Sequence, residues 1–338
     1  MKNDVMVTVM VTFYNQKQYI NDSLSAIFNQ KTDFYYEVLC GDDGSTDGTY
    51  EELLRWQEKY PEQCTVLQMP REQGKKYEPI VRVSNNRVTL LKHAKGKYVT
   101  FLDGDDYYTD LYKLQKQVDL LEKYPDCVAC GHPVVMWWDE EPERKEVLGY
   151  IADYPLKMSN KVYWSHLWLH ADTFLFRNVY RGKEDCINSD FFDDNLITCY
   201  FIKYGNVLYI PDDMVVYRQI PGSSWNKRTE LQKAVVNMRV YHEAKKVVPE
   251  MKWQSFMKCH SAWKKIYGNR KTDIANKCTV AFVQDERIVQ DTLRYKDVNV
   301  FYKIFYEIKY FMPMHMGLVL RVLKKIQKMS YRRIPEHD

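Results

Sequence analysis

Three carboxylates, Asp103, Asp105 and Asp106, stand within four positions directly after the apolar run at residues 98–102. Like charges this close repel one another, so either the stretch is a solvated turn or a cation binds it. Carboxylates bind Mg²⁺ and Mn²⁺ well, and Mg²⁺ sites often combine one or two carboxylates with substrate phosphates. Gly104 has no side chain and lets a ligand approach closely. The D-x-D pattern therefore predicts a metal–diphosphate site, with a surface turn as the alternative.

A second acidic cluster occupies residues 42–48, with the sequence Asp-Asp-Gly-Ser-Thr-Asp-Gly. It resembles the start of a calcium loop, whose twelfth position should be a bidentate Glu. Counted from Asp43, that position is Leu54, so a calcium loop is disfavoured. The pattern instead predicts a strand-end turn that feeds a helix capped by Ser45 or Thr46, with one Asp free to bind a ligand.

Two further clusters lie in the second half of the sequence. Asp193 and Asp194, with Asp190 before them, either complement the positive N-terminus of a helix or supply a general base. Arg218 precedes a loop with the sequence Pro-Gly-Ser-Ser-Trp at residues 221–225, whose hydroxyls could help a cation to hold phosphate. Loops of this composition are also common without a ligand.

The elements that must position these residues alternate along the chain. Apolar β-branched runs predict strands at 5–11, 36–40, 65–67 and 98–102, and helical spacing predicts helices at 22–30, 45–60, 82–94 and 111–124. This alternation is typical of a parallel α/β sheet, where ligands bind outside the carboxyl ends of the strands. We therefore expect residues 12–15, 42–47 and 103–106 to meet at one edge.

Beyond residue 125 the pattern changes. We predict a buried strand at 126–135, an acidic loop at 139–146, a strand at 173–176 and a helix at 188–204, with a largely helical chain from 226 onwards. Residues 301–338 carry eight Lys and Arg against three Asp and Glu, and their apolar positions recur at helical spacing. Such a basic amphipathic end suits peripheral contact with an anionic membrane surface, or else packs on its own domain.

Composition excludes several classes of protein. The 338 residues are 45% hydrophobic and 28% charged, which allows a core, and the net charge of +4 is too weak to indicate a nucleic-acid partner. The sequence lacks a signal-peptide pattern, an 18-residue apolar span, G-x-G-x-x-G, a P-loop and G-x-S-x-G. We expect a cytoplasmic protein whose eight cysteines remain thiols, so Cys127 and Cys130 are interpreted as buried strand residues rather than zinc ligands.

Three motifs together resemble family 2 glycosyltransferases of the GT-A fold, and bacterial surface-polysaccharide members in particular. They are Val-Met-Val-Thr-Phe-Tyr-Asn at 9–15, Asp-Asp-Gly-Ser-Thr-Asp-Gly-Thr at 42–49, and Ala-Lys-Gly-Lys-Tyr-Val-Thr-Phe-Leu-Asp-Gly-Asp-Asp at 94–106. The resemblance implies a mixed α/β sheet flanked by helices in a domain at 1–225, with a nucleotide-sugar half at 1–110 and an acceptor half at 111–225. Residues 226–338 would form a mainly helical C-terminal region.

The resemblance also implies an activity. It indicates an inverting, metal-dependent transferase that moves a sugar from a nucleotide-diphosphate donor, expected to be UDP-linked, to a hydroxyl of a glycan or lipid-linked saccharide. With its basic amphipathic end, we expect the cytoplasmic protein to work at the inner face of the cell membrane. Its implied catalytic residues are Asp194, with Asp193 as competitor, and its metal ligands for Mn²⁺ or Mg²⁺ are Asp105 and Asp103. The implied substrate-binding residues are Thr12, Phe13, Asn15, Asp42, Asp43, Arg82, Arg87, Asp103, Gly104, Arg218 and Trp225.

One position departs from the family pattern. Members often carry Arg-x-His before the Gly/Ser and Trp, but here the sequence is Arg218-Gln219-Ile220. Ile220 cannot bind metal or phosphate, which leaves Arg218 as the main cation expected there. A weak or inactive protein that binds sugar nucleotides or carbohydrate is therefore the alternative. A nucleotidyltransferase is less favoured, because residues 12–15 do not form a Gly-rich basic loop for a triphosphate.

Overall fold

The computed structural model describes residues 4–72, 74–75, 77–166, 169–180, 192–220, 222–223, 225–228, 233, 244, 248 and 332–334. Asp190 and the predicted basic amphipathic end, apart from residues 332–334, lie outside this part of the chain. No helix in the described part is both long and apolar enough to cross a membrane.

Strands and helices alternate through the first half, as the sequence predicts. The strands are β1 Val7–Phe13, β2 Tyr36–Asp42, β3 Cys64–Gln68, β4 Tyr98–Asp103, β5 Tyr107–Tyr108, β6 Cys127–Gly131, β7 Val134–Trp138, β8 Glu141–Leu148, β9 Leu156–Met158, β10 Leu175–Arg177, β11 Asn206–Tyr209, β12 Val215–Gln219 and β13 Arg332–Arg333. The helices are α1 Ile20–Phe28, α2 Thr49–Lys59, α3 Pro79–His93, α4 Lys113–Lys123, α5 Asn160–His166 and α6 Asp194–Ile202.

Two sheets organise the described residues. The larger has nine strands in the order β13-β9-β11-β6-β10-β4-β1-β2-β3, and the smaller has four in the order β5-β12-β7-β8. Strands β1, β2, β3 and β4 are parallel, whereas β10 runs antiparallel to both β4 and β6. The predicted mixed α/β sheet flanked by helices is confirmed, and β13 adds an edge strand that the sequence pattern does not predict.

Strand β1 is an interior strand of the large sheet, and its residues are buried on both faces. Val9 and Val11 face one apolar cluster, while Met10, between them, faces the other. This two-residue alternation within a continuous apolar run is what a parallel strand covered on both sides requires. Both neighbours of β1 carry polar residues at their carboxyl ends, so the core fixes where the site residues begin.

Two boundaries differ from the sequence predictions. Helix α2 begins at Thr49 after Gly48, whose φ is +89°, rather than after Ser45 or Thr46. The Asp47 carboxylate accepts hydrogen bonds from Thr49 N (3.0 Å) and Oγ1 (2.6 Å), which moves the helix start two to three residues along. The predicted acidic loop at 139–146 is wrong, because most of it forms β8, which pairs antiparallel with β7.

The cysteine interpretation agrees with the structure. Cys127 and Cys130 lie on β6, are fully buried and are free thiols. Nδ1 of the nearby His132 lies 2.7 Å from the carbonyl oxygen of Pro133. Burial raises the pKa of the Cys127 thiol to about 12, which keeps it protonated at neutral pH.

Arg218, on β12, connects the small sheet to the large one. Its backbone N–H donates to Asp106 Oδ1 (2.8 Å), while its guanidinium pairs with Asp22 on α1 (2.8 Å) and with Asp139 beyond β7 (3.5 Å). The rings of Tyr19, Tyr107 and Trp137 surround the guanidinium, with centroids 4.7 to 5.3 Å away. Arg218 therefore joins three separate parts of the fold.

We expect Arg218→Gln to lower the free energy of unfolding by roughly 1–3 kcal/mol, because the substitution removes both ion pairs and the cation–π contacts. The measurement is urea denaturation followed by circular dichroism. Arg144→Gln is the matched control, since Arg144 is a half-exposed arginine paired with acids on β8 and should change stability by less than about 0.5 kcal/mol. Equal effects of the two substitutions would contradict the connecting role.

Candidate active site

The carboxyl ends of β1, β2 and β4 meet in register. Thr12 lies opposite Asp103 on one side and Gly41 on the other, and Phe13 lies opposite Asp42. Thr12 Oγ1 donates a hydrogen bond to Asp103 Oδ1 at 3.1 Å. The parallel sheet thus brings together the residues that follow its three strands, as the sequence predicts.

The two aspartates after β2 are held differently. Asp42 is fully buried, and its carboxylate accepts hydrogen bonds from the N–H groups of Gly44 and Ser45 within the turn. Asp43 instead pairs with two arginines, Arg71 (2.5 Å) and Arg82 (2.5 Å). Asp42 therefore shapes the turn, whereas Asp43 stands among the side chains of the site.

Arg71 is absent from the residues that the sequence predicts for the site. Its guanidinium lies 4.0 Å from the ring centroid of Tyr14, and its Nε donates to the carbonyl oxygen of Asp43 (2.7 Å). Its position after β3, at the same edge as the other strand ends, is the signal that could have identified it. A cation stacked on a half-exposed aromatic ring beside Asp43 forms one wall of this edge.

The loop after β1 is tied to the turn after β2. Asn15 adopts a positive φ of +52°, its N–H donates to Ser45 Oγ (2.9 Å), and its side-chain oxygen accepts from Thr46 N (2.9 Å). Phe13 is buried beneath Gly104, where an added Cβ would come within 2.2 Å of the Phe13 ring. Phe13 and Gly104 thus let the β1 and β4 loops approach closely, and direct substrate contact by either residue stays a prediction.

The three carboxylates at residues 103–106, which are Asp103, Asp105 and Asp106, lie in three different environments. Burial raises the pKa of Asp103, but Arg87 outweighs it and holds that pKa below its usual value. Burial, reinforced by the charge of Asp103, raises the pKa of Asp105 to about 7. Asp106 is fully buried, and burial together with Asp105 raises its pKa well above the usual range.

A buried trio of metal-ligating type lies beside the D-x-D segment. Asp106, His170 and Asp172 each offer one ligand atom, and these atoms lie within 4.8 Å of one another. Asp172 also accepts a hydrogen bond from Asp103 N (3.3 Å). His170 and Asp172 precede β10, whose antiparallel direction brings its beginning to the carboxyl end of β4, so strand periodicity could not have revealed them.

These residues fit a divalent cation. Within the described chain, Oδ2 of buried Asp106 has no hydrogen-bond partner, and an unpaired buried oxygen is costly. Two carboxylates and one imidazole form a donor set that Mn²⁺ accepts. Burial, together with the charge of Asp103, disfavours the anionic form of Asp105, which lies outside this trio. Both observations are what a site for a cation at this edge would give.

Arg87 joins the D-x-D segment to α6. Its Nη2 lies 2.8 Å from Asp103 Oδ1, and its Nη1 lies 2.5 Å from Asp194 Oδ1. Burial alone would lower the pKa of the guanidinium, but Asp194 and Asp103 outweigh it and raise that pKa above its ordinary value. Arg87 and Asp103, from the first half of the chain, thus lie beside Asp194, from the second half.

Asp193 and Asp194 have different tasks at the start of α6. Asp193 is the helix cap, because its Oδ1 accepts from Leu196 N at 3.0 Å, and burial with the nearby Asp194 raises its pKa to about 7. The Asp194 side chain is 37% exposed, so it can reach a substrate. Position therefore favours Asp194 over Asp193 as the group that meets a ligand.

Arg218, at the family's Arg-x-His position, is not an open cation. Arg218 pairs with Asp22 and Asp139, away from the D-x-D carboxylates, and Ile220 is apolar. Trp225 is half-buried, with the charged groups of Arg228 and Lys233 5.6 and 5.8 Å from its ring centroid. The predicted substrate contacts of Arg218 and Trp225 stay predictions.

Several known proteins are similar to this chain. It is 26% identical over 227 residues to an uncharacterized protein of Mycobacterium tuberculosis H37Rv, covering 65% of this chain and 60% of that protein, so it spans about three fifths of that relative. It is 33% identical over 116 residues to TuaG of Bacillus subtilis, a putative teichuronic acid biosynthesis glycosyltransferase, covering 34% of this chain and 42% of TuaG.

A third relative, WfgD of Escherichia coli, is 28% identical over 121 residues, which is 36% of this chain and 43% of WfgD. WfgD is named a UDP-Glc:α-D-GlcNAc-diphosphoundecaprenol β-1,3-glucosyltransferase. Among solved structures, TarS residues 1–349 of S. aureus superpose with a TM-score of 0.58 at 17% identity, covering 86% of this chain and 81% of that one. This likeness shows the fold.

The match to a family model covers the edge described above. The model of Glycosyl transferase family 2 matches residues 8–179, which is just over half of the chain. That range contains the ends of β1, β2 and β4, the D-x-D carboxylates, Arg87 and the buried trio. The chain therefore belongs to glycosyl transferase family 2.

Proposed function

We propose that the protein is an inverting glycosyltransferase of surface-polysaccharide synthesis, which transfers a sugar from a UDP-sugar to a hydroxyl of a glycan or lipid-linked saccharide. The observation that carries this proposal is the ion-paired link from Asp103 through Arg87 to Asp194. It joins a donor-type D-x-D segment to a half-exposed acid on a different part of the chain, which is the arrangement that group transfer between two substrates needs.

The donor nucleotide is assigned by comparison. WfgD is named for UDP-glucose, and TarS has been solved with UDP-N-acetylglucosamine, at 18% identity to this chain. Thr12, Asp43 and the face of Tyr14 would form the wall for the base and ribose. TuaG is named as a putative glycosyltransferase of teichuronic acid biosynthesis, and WfgD is named for a diphosphoundecaprenol-linked sugar acceptor. These names support a glycan or lipid-linked saccharide as the acceptor here.

In the proposed reaction, Asp194 acts as the base and the D-x-D residues hold the ion. The acceptor hydroxyl attacks the anomeric carbon while Asp194 takes its proton, and the carbon–oxygen bond to the nucleoside diphosphate breaks in the same displacement. One displacement inverts the anomeric centre and requires no nucleophile from the protein. Mn²⁺ or Mg²⁺ would be held at this edge by Asp105 and Asp103, with the buried trio of Asp106, His170 and Asp172 as further donors beside them, and would offset the charge that the departing diphosphate gains.

The need for a metal follows from how the arginines are used. Arg82, Arg87 and Arg218, the three arginines that the sequence predicts for the donor, each pair with a carboxylate. A carboxylate partner cancels much of the charge that a diphosphate would need. Among the described residues these arginines are therefore not free to balance the diphosphate, which supports an ion as the source of the positive charge.

A second candidate function is a protein that binds sugar nucleotides without turning them over. Ile220 favours it, because the residue offers no polar atom where relatives of this type often carry His. Binding of UDP without release of UDP from any UDP-sugar would support this candidate. In that case the residues around Asp103 and Asp105 would still bind the nucleotide, and Asp194 on α6 would not act as a base.

We expect Mn²⁺ to strengthen UDP binding by roughly tenfold or more, because the paired arginines leave the diphosphate charge to the ion. Isothermal titration calorimetry with UDP and GDP, in Mn²⁺, Mg²⁺ and EDTA, measures this directly. UDP should bind more tightly than GDP. Equal UDP affinity in EDTA and in Mn²⁺ would show that the metal assignment is wrong.

We expect Asp105→Ala and Asp194→Asn each to lower UDP release from UDP-glucose or UDP-N-acetylglucosamine by about 10²–10⁴-fold, since one loses the ion and the other the base. Asp105→Ala should also weaken UDP binding in Mn²⁺, whereas Asp194→Asn should not. Asp119→Asn, on the exposed face of α4, is the matched control and should keep full activity. Unchanged turnover in either site variant would remove the role assigned to that residue.

A further inference from the structure

Arg87 is buried at the junction between the two halves of the site. Its side chain is 6% exposed, and two different nitrogens of one guanidinium contact two different carboxylates. Asp103 belongs to β4, and Asp194 is the first residue of α6, 91 positions further along the chain. The sequence predicts Arg87 as a nucleotide or phosphate ligand, but these contacts give it another task.

The planar guanidinium holds its nitrogens at fixed positions, which a point charge cannot do. Its Nη2 donates a hydrogen bond to Asp103 Oδ1 and its Nη1 forms an ion pair with Asp194 Oδ1, so the two carboxylates are kept at a set distance. Asp103 is itself fixed by the hydrogen bond from Thr12 Oγ1, on the buried strand β1. A continuous series of polar contacts therefore runs from β1 through Asp103 and Arg87 to Asp194.

Asp194 depends on this contact more than its neighbour does. Asp193 is already held by the backbone N–H of Leu196, whereas the Asp194 carboxylate is half-exposed and has Arg87 as its ion-pair partner. A half-exposed carboxylate without such a partner would sample several rotamers. A base must instead stay within hydrogen-bonding reach of the hydroxyl that it deprotonates.

We propose that Arg87 is a positioning residue which orients the Asp194 carboxylate toward the acceptor and, through Asp103, couples that orientation to the donor side of the site. The proposal rests on the function proposed above. Both ion-pairing nitrogens are engaged by carboxylates, so Arg87 acts through Asp194 and does not need to touch the donor phosphates. Its loss should therefore reduce turnover and leave donor affinity intact.

The test compares Arg87→Gln and Arg87→Lys with the native protein. UDP release from UDP-glucose and UDP-N-acetylglucosamine should fall by about 100-fold in the Gln variant and by at least about tenfold in the Lys variant, which keeps the charge but lacks the planar fork. The Kd for UDP in Mn²⁺ should stay within about threefold of the native value. Arg55→Gln, an exposed arginine paired with Glu52, is the control and should alter neither quantity.

A double variant separates positioning from direct binding. Arg87→Gln combined with Asp194→Asn should release UDP no more slowly than Asp194→Asn alone, to within about twofold, because Arg87 acts through Asp194. A tenfold or larger rise in the UDP Kd of Arg87→Gln, with turnover at saturating donor unchanged, would overturn the proposal and return Arg87 to a donor-binding role.

Thermal unfolding gives a readout that does not depend on turnover. If the native protein binds UDP but releases none from either donor, the proposed function fails, and the Tm values still decide whether Arg87 holds Asp194. The Tm shift caused by Asp194→Asn should disappear in the Arg87→Gln background, because the two side chains interact. Tm shifts that simply add would show that Arg87 does not hold Asp194 and would overturn the proposal.

Discussion

The pairing of buried carboxylates with arginines at the carboxyl edge of β1, β2 and β4 is the constraint on which the rest of the site depends. A carboxylate removed from water without a partner costs several kcal/mol, so each one needs a cation or a proton. Asp43 and Asp103 have arginines and can remain ionised. Burial raises the pKa of Asp43, and Arg71 and Arg82 oppose that rise. Asp105 and Asp106 form no ion pair with an arginine among the described residues, and burial raises the pKa of each.

The mixed direction of the sheet explains how this edge also receives residues from the second half of the chain. Because β10 is antiparallel to β4, the residues before β10 arrive where β4 ends, and this places Asp172 against the backbone of Asp103. A wholly parallel sheet would have put the residues after β10 there instead. The reversal thus brings an acid and an imidazole beneath the D-x-D segment, while Arg87 reaches α6 from the other side.

The sequence was sufficient for the elements whose pattern is local. Strands β1, β2, β3 and β4 are continuous apolar runs, and their helices have clear spacing, so the edge and its polar ends could be predicted. The strand β8 was missed because its residues are mostly charged and exposed, and it is held by pairing with β7 rather than by burial. Arg71, His170 and Asp172 escaped prediction because their places depend on contacts between distant segments.

The departure at Ile220 has a structural counterpart in the neighbouring arginine. Arg218 pairs with Asp22 and Asp139 inside a ring of aromatic side chains, so it links the small sheet to the large one and is not an open cation. Its backbone nevertheless reaches the site, because its N–H binds one oxygen of Asp106 and leaves the other without a partner. The segment that often supplies a histidine thus acts here on the orientation of a buried carboxylate, and under the proposed function the charge of the donor would be balanced by the ion that the acidic residues would hold.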